Sequence, residues 1–157
     1  MDLYNKQFEL RQETPAYWHN KSHDLLVSAR TLWKAMQSEK ELEINCWATY
    51  KMLLGMSFEL LFKAHCIGSG TGFNSTHDLV ALANTASLST SKDENKILKV
   101  LSEYIIWDGR YPTPKKPEHL KEHWKNQSSL LDDKLDREFN FEVRHSPMPP
   151  DGTLRIP

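Results

Sequence analysis

The segment Trp107-Asp-Gly-Arg-Tyr-Pro-Thr-Pro-Lys-Lys-Pro117 puts a guanidinium, a phenol and two ammonium groups where a helical pattern must stop. Pro112, Pro114 and Pro117 remove backbone donors and bias the residues before them away from helical geometry, so Arg110 and Tyr111 are displayed from a stiff corner. Arg110, Lys115 and Lys116 have the chemistry to hold phosphate. Tyr111 and Trp124 offer stacking faces beside them and beside Lys121, the mixture that single-strand binders use. The same residues also have a structural use, with Arg110 capping a carbonyl and Tyr111 packed under the loop.

A second group lies upstream. Lys51, Gly55, Glu59 and Lys63 fall at four-residue steps along an otherwise apolar helix. Glu59 before Lys63 is the favourable ion-pair orientation, and Gly55 suggests close approach by another backbone or group. Such a stripe is either the wet edge of the helix or a functional or dimer-facing groove. His77 stands at the start of a short helix. It is a candidate proton carrier, together with His119. His119 and His123 are spaced one turn apart as in metal-binding helices, but no third ligand is identifiable, so no metal is assigned. No cofactor is assigned either: Gly68-Ser-Gly-Thr-Gly72 lacks the Gly-Lys-Ser/Thr ending of a phosphate loop and has no preceding strand. These glycines read as a helix terminus and tight loop. His65 reads as a core histidine.

The elements that position these groups read as helices, and no stretch alternates as a half-buried strand would. Thr14-Pro15 starts an amphipathic helix that runs to about Glu39. The segment from Ile44 to Ile67 is apolar on nearly every side and should be the buried central helix. Ser75 or Thr76 can cap a short third helix carrying Leu79 and Leu82. Ser91-Lys-Asp-Glu94 is a capping-box pattern for a fourth. A fifth begins at Pro117, with Leu120, Trp124, Leu131, Leu135 and Phe139 on one face. The fold class expected is therefore all-α, an up-and-down bundle of four to five helices. Residues 1–13 read as an N-terminal extension, 14–144 as the bundle and 145–157 as a proline-rich tail.

With 157 residues the chain is one domain by length, and 20 Lys/Arg against 21 Asp/Glu give no global field that would advertise a nucleic-acid partner. Any such binding must be local. Cys46 and Cys66 are too far apart on one helix to pair, and read as thiols in a reducing compartment. No segment approaches the length of a membrane span or shows a leader pattern, so a soluble, cytoplasmic protein is expected.

Three pieces in order, Leu54-Gly-Met-Ser-Phe-Glu-Leu-Leu-Phe-Lys-Ala64, Thr76-His-Asp-Leu79 and Trp107-Asp-Gly-Arg-Tyr-Pro112, resemble the HEPN superfamily of small bacterial helical proteins. The likeness spans about residues 20 to 125. It implies a helical bundle, usually a homodimer, and in many members metal-independent endoribonuclease activity in toxin-antitoxin, phage-defence or RNA-processing systems; others bind nucleotides or have lost catalysis. Active members carry Arg, a short spacer and His. Here Arg110 meets His119 only after a longer, proline-filled gap, and Arg137 with His145 is also too widely spaced. Two readings follow. In the first the chain binds RNA or a nucleotide, with Arg110, Lys115 and Lys116 on phosphate, Tyr111 stacking, and His77 or His119 as proton carrier; Glu59 or Lys63 reach the same cleft, and an antitoxin or nucleotidyltransferase is a candidate partner. In the second the chain is a catalytically inert interaction or dimerisation module, with Arg110 and Tyr111 tying the corner to His77 and Glu59 with Lys63 forming a polar lock.

Overall fold

The computed structural model describes residues 2–131. Leu135, Phe139, Arg137, His145 and the tail 145–157 lie outside the described residues. Among the described residues six helices run in the order α1 (Leu3–Glu13), α2 (Pro15–Ser38), α3 (Lys40–Ser69), α4 (Leu79–Thr85), α5 (Lys92–Glu103) and α6 (Pro117–Leu131). A π-helical turn, Tyr104–Asp108, extends α5. No strand occurs among the described residues. The all-α bundle expected from the sequence is what forms, with one helix more than expected, because part of the N-terminal extension is itself helical.

Local chemistry sets most boundaries. Pro15 opens α2, where a missing N–H costs nothing. Gly70 at φ 72° terminates α3 in the left-handed region. The capping box at Ser91 forms as its sequence pattern requires, the Ser91 hydroxyl accepting from the Glu94 amide and the Glu94 carboxylate from the Ser91 amide. The cap of α4 is Asp78 rather than Ser75 or Thr76. Its carboxylate accepts from the Ala81 N–H at 3.0 Å, while Thr76 accepts from the Asp78 N–H at 3.1 Å and so shapes the turn before the helix.

α3 is the axle of the fold, with α2 along one side and α4, α5 and the π turn against the other. The core cluster lies on that second side: Phe62 from α3, Leu79, Leu82 and Ala83 from α4, and Leu98, Leu101 and Ile105 from α5 and the π turn. Burying each large side chain contributes about 1.5–3 kcal/mol. α3 reaches the centre by a different face from the one its composition suggests. Its buried residues include Lys51, Gly55, Ser57, Glu59 and Lys63, whereas Leu54 and Phe58 are half-buried and Leu61 is exposed. The polar stripe is thus no wet edge, because the π turn, α5 and the segment leading into α4 close over it. His65, expected in the core, is exposed.

Gly55 shows the close approach its position implied. A Cβ there would stand 3.0 Å from Ile105 side-chain atoms and from the Leu101 carbonyl oxygen. Across the α2–α3 seam the Ser22 hydroxyl donates to the Ser57 carbonyl at 2.7 Å, and the Ser57 hydroxyl to the Ser22 carbonyl at 3.0 Å. Small side chains allow that approach. Trp33, Trp47 and Tyr50 fill the other end of the seam, with ring centroids 5.3–6.1 Å apart.

Candidate functional site

Residues singled out in the sequence gather into two groups. In the first, Glu59 and Lys63 sit one turn apart on α3, and the Lys63 ammonium donates to Glu59 Oε1 at 2.5 Å. The second carboxylate oxygen lies 2.9 Å from His77 Nδ1. Lys63 is also 5.4 Å from the Phe73 ring centroid, so its charge meets both a carboxylate and an aromatic face. Both α3 residues are buried while the His77 side chain is open to solvent. His77 owes its place to the turn that starts α4, which is held from below by the Leu79 N–H donating to the Ser102 hydroxyl at 2.9 Å. A carboxylate-anchored, solvent-open imidazole is chemically equipped to move a proton.

The second group is the proline corner. The π turn closes with the Gly109 N–H on the Tyr104 carbonyl, five residues back, and the N–H groups of Arg110 and Tyr111 both donate to the Trp107 carbonyl. Gly109 is required by space rather than by left-handed geometry. Its φ is −77°, but a Cβ would fall 2.6 Å from Met52 Cβ and 2.7 Å from the Tyr104 carbonyl oxygen. Arg110 Nη2 donates to the Ile106 carbonyl at 2.7 Å, and the guanidinium lies 5.3 Å from the Tyr111 ring centroid. Capping and display therefore coexist, since Arg110 is exposed and Tyr111, instead of packing under the loop, is exposed as well. Lys115, Lys116, His119, Lys121 and Trp124 are also exposed, the last three on α6.

No hydrogen bond or ion pair among the described residues joins Arg110 to His77. Gly109 packs beside Met52 and His77 pairs with Glu59, seven residues further along α3, a separation of about 10 Å at 1.5 Å per residue. The structure thus brings Glu59, Lys63 and His77 together, and Arg110 with Tyr111, at two stations on the axle.

Between α3 and α6 lies a buried network that sequence reasoning missed as a unit. His123 on α6 is 4% exposed, with Nδ1 2.5 Å from Glu103 Oε2 and Nε2 3.0 Å from Asp108 Oδ2. Burial by itself would lower the pKa of this imidazole; the hydrogen bonds and charges of Asp108 and Glu103 outweigh it and push the value up to about 9. His123 is therefore a buried cation between two carboxylates. Asn126 donates to Glu103 Oε1 at 2.7 Å, and Gln127 donates to the Tyr104 hydroxyl at 3.0 Å. Lys51 donates to that hydroxyl at 3.3 Å, its ammonium 4.7 Å from the Tyr104 ring centroid and 4.9 Å from that of Trp47. Burial, then the charge of Asp108, raises the Tyr104 hydroxyl pKa, so the phenol stays protonated. His123 is turned inward and His119 outward, so the one-turn histidine pair does not converge on one point. No cluster of metal-ligating side chains that could hold an ion occurs among the described residues.

No family model, curated protein or solved structure matches the chain.

Proposed function

We propose that this chain is a HEPN-like protein that binds single-stranded RNA or a nucleotide at the proline corner and the outer face of α6. The observation that supports this is the joint exposure of Arg110, Tyr111, Lys115, Lys116, Lys121 and Trp124, with the guanidinium already placed over the Tyr111 ring. Cations take the backbone phosphates and aromatic faces take the bases, which gives affinity with little sequence preference. The backbone bonds of the π turn fix where Arg110 leaves the helix, so less ordering accompanies binding.

Fluorescence anisotropy with a labelled single-stranded oligoribonucleotide tests this directly. Binding should weaken steeply with added salt, and Arg110→Ala or the pair Lys115→Ala and Lys116→Ala should reduce affinity by roughly tenfold or more. Unchanged affinity in both variants would refute the assignment of the corner. Cleavage of the RNA, or growth arrest on expression, would add a metal-independent endoribonuclease of a toxin-antitoxin or defence system, with His77 or His119 as proton carrier.

The alternative is a catalytically inert interaction module. The closed Glu59–Lys63–His77 group favours it, because a buried carboxylate with both oxygens engaged serves as a lock as readily as a reactive group. RNA binding that is absent at low salt would decide for this reading.

A further inference from the structure

The π turn that carries the proline corner is an uncommon winding, marked by the bond from the Gly109 N–H to the Tyr104 carbonyl at 3.0 Å. Regular α-helix is the default for a chain, so a π turn persists where contacts outside the helix favour it. One residue reaches both ends of this turn. Glu103 stands immediately before it and Asp108 is its last residue, and their carboxylates lie 2.5 Å from Nδ1 and 3.0 Å from Nε2 of His123. The imidazole bridges the turn from end to end.

That bridge needs a proton. A neutral imidazole has one N–H and one lone pair, so it can donate to only one of two carboxylates and turns its lone pair on the other; the imidazolium donates to both. The groups that face the ring come from three elements. Glu103 belongs to α5; Asp108 and the rings of Tyr104 and Trp107, with centroids 5.5 and 5.0 Å away, belong to the π turn; the Gln127 amide belongs to α6 itself. α3 sends Lys51 to the Tyr104 hydroxyl. The carboxylates outweigh burial, and the proton is held up to about pH 9.

The corner starts where the bridged turn ends. The N–H groups of Arg110 and Tyr111 donate to the Trp107 carbonyl at 2.9 and 2.8 Å, and Arg110 Nη2 donates to the Ile106 carbonyl, so both acceptors belong to the turn. Where the turn goes, the guanidinium follows. His123 itself is 4% exposed and is sealed away from any ligand of the corner.

We propose that His123 is a positioning residue for RNA binding: its imidazolium, bridging Glu103 and Asp108, holds the π turn wound and so holds Arg110 and Tyr111 in the binding orientation. This rests on the reading of the corner as an RNA site. When the proton leaves, one carboxylate loses its donor, the turn loses its hold, and the guanidinium is no longer placed in advance. Affinity then follows the charge of a group that RNA does not touch.

Fluorescence anisotropy with a labelled single-stranded oligoribonucleotide, at constant ionic strength between about pH 7 and 9.5, tests this. Wild-type affinity should be level to about pH 8, halve near pH 9 and be roughly fourfold lower by pH 9.5, the course set by one proton. Asp108→Asn separates the bridge from the lysines, which titrate higher, at about 10.4. Its side-chain amide can donate to a neutral imidazole or accept from an imidazolium, so the bridge closes in either state. Whatever its affinity at neutral pH, this variant should keep that affinity within about twofold to pH 9.5. His123→Gln should be weak already at neutral pH and show no step. The carbon NMR shift of the Tyr104 carbonyl, which accepts the π bond, reads the turn without RNA and should move with a midpoint near pH 9 in wild type but not in Asp108→Asn. A level wild-type affinity, or an Asp108→Asn affinity that falls in step with wild type, would overturn the proposal. Absence of RNA binding at every pH would instead remove the RNA reading, and the carbonyl shift then decides the bridge: a midpoint abolished by Asp108→Asn keeps His123 as the residue that holds the turn, and an unmoved shift overturns it.

Discussion

Removing the His123 imidazole strips a cation from two carboxylates at once, those of Glu103 and Asp108. His123→Ala should therefore cost about 3–5 kcal/mol, the usual penalty for breaking a buried pair from one side. Arg110→Ala removes one exposed carbonyl contact and should cost no more than about 1 kcal/mol. Urea unfolding of the two variants checks the contrast, and an Arg110→Ala loss as large as that of His123→Ala would make the corner structural. The sequence marks Arg110, Tyr111, Glu59, Lys63 and His77 because each lies within a short local pattern. It leaves His123 hidden, since its partners stand 20 and 15 residues upstream on a different helix, and only packing brings them together.

The π turn explains why that packing was illegible. Five residues along a regular α-helix rotate a side chain by about 140°, which would send Glu103 and Asp108 to different sides. Closing the turn with a bond five residues long, from the Gly109 N–H to the Tyr104 carbonyl, brings both carboxylates to one imidazole. A 3.6-residue reading finds the end of α5 but not this twist. The pair makes stability depend on pH with a definite sign. The folded state holds the His123 proton up to about pH 9, against about 6.5 for the unfolded chain, so the stabilisation is complete below about 6.5 and lost as pH rises through 9. Denaturant midpoints should fall across that window by the equivalent of a few kcal/mol, and His123→Gln should flatten this part of the profile. Two glycines, Gly55 within the α3 axle and Gly109 packed against it, give a graded test. Gly55→Ala meets contacts of 3.0 Å and gains about 1 kcal/mol of helix propensity, whereas Gly109→Ala meets Met52 and a carbonyl at 2.6–2.7 Å. Thermal melts should show Gly109→Ala as clearly the more damaging. Gly55 was legible as a close approach; the crowding around Gly109 was not.

At the scale of the molecule, the centrality of α3 was legible from its all-round apolarity, but the orientation of the helix was not. Composition shows the Glu59–Lys63 pair but cannot say that the stripe turns inward, because the groups that close over it, Tyr104, His77 and Phe73, lie outside the helix. None of residues 2–13 is buried, so deleting the segment takes nothing described from the core. The melting temperature of the truncated chain, measured dilute, should therefore stay within a few degrees of wild type, as checked by calorimetry.

The Ser22–Ser57 clasp has a dynamic consequence. α2 buries only Ser22, Ala29 and Met36, one residue every seven, and rests chiefly on α3, while α5 and the π turn are gripped by α3, α4 and α6. Around Ser22 and Ser57, small side chains and two reciprocal hydroxyl bonds hold the seam closely but give it little apolar area to lose on opening, whereas Trp33, Trp47 and Tyr50 pack its other end. The amides in the first half of α2 should then exchange with deuterium ahead of those beside Trp33, through an opening that leaves the α3–α6 half intact, and only the slowest protons of α5 should report the global transition.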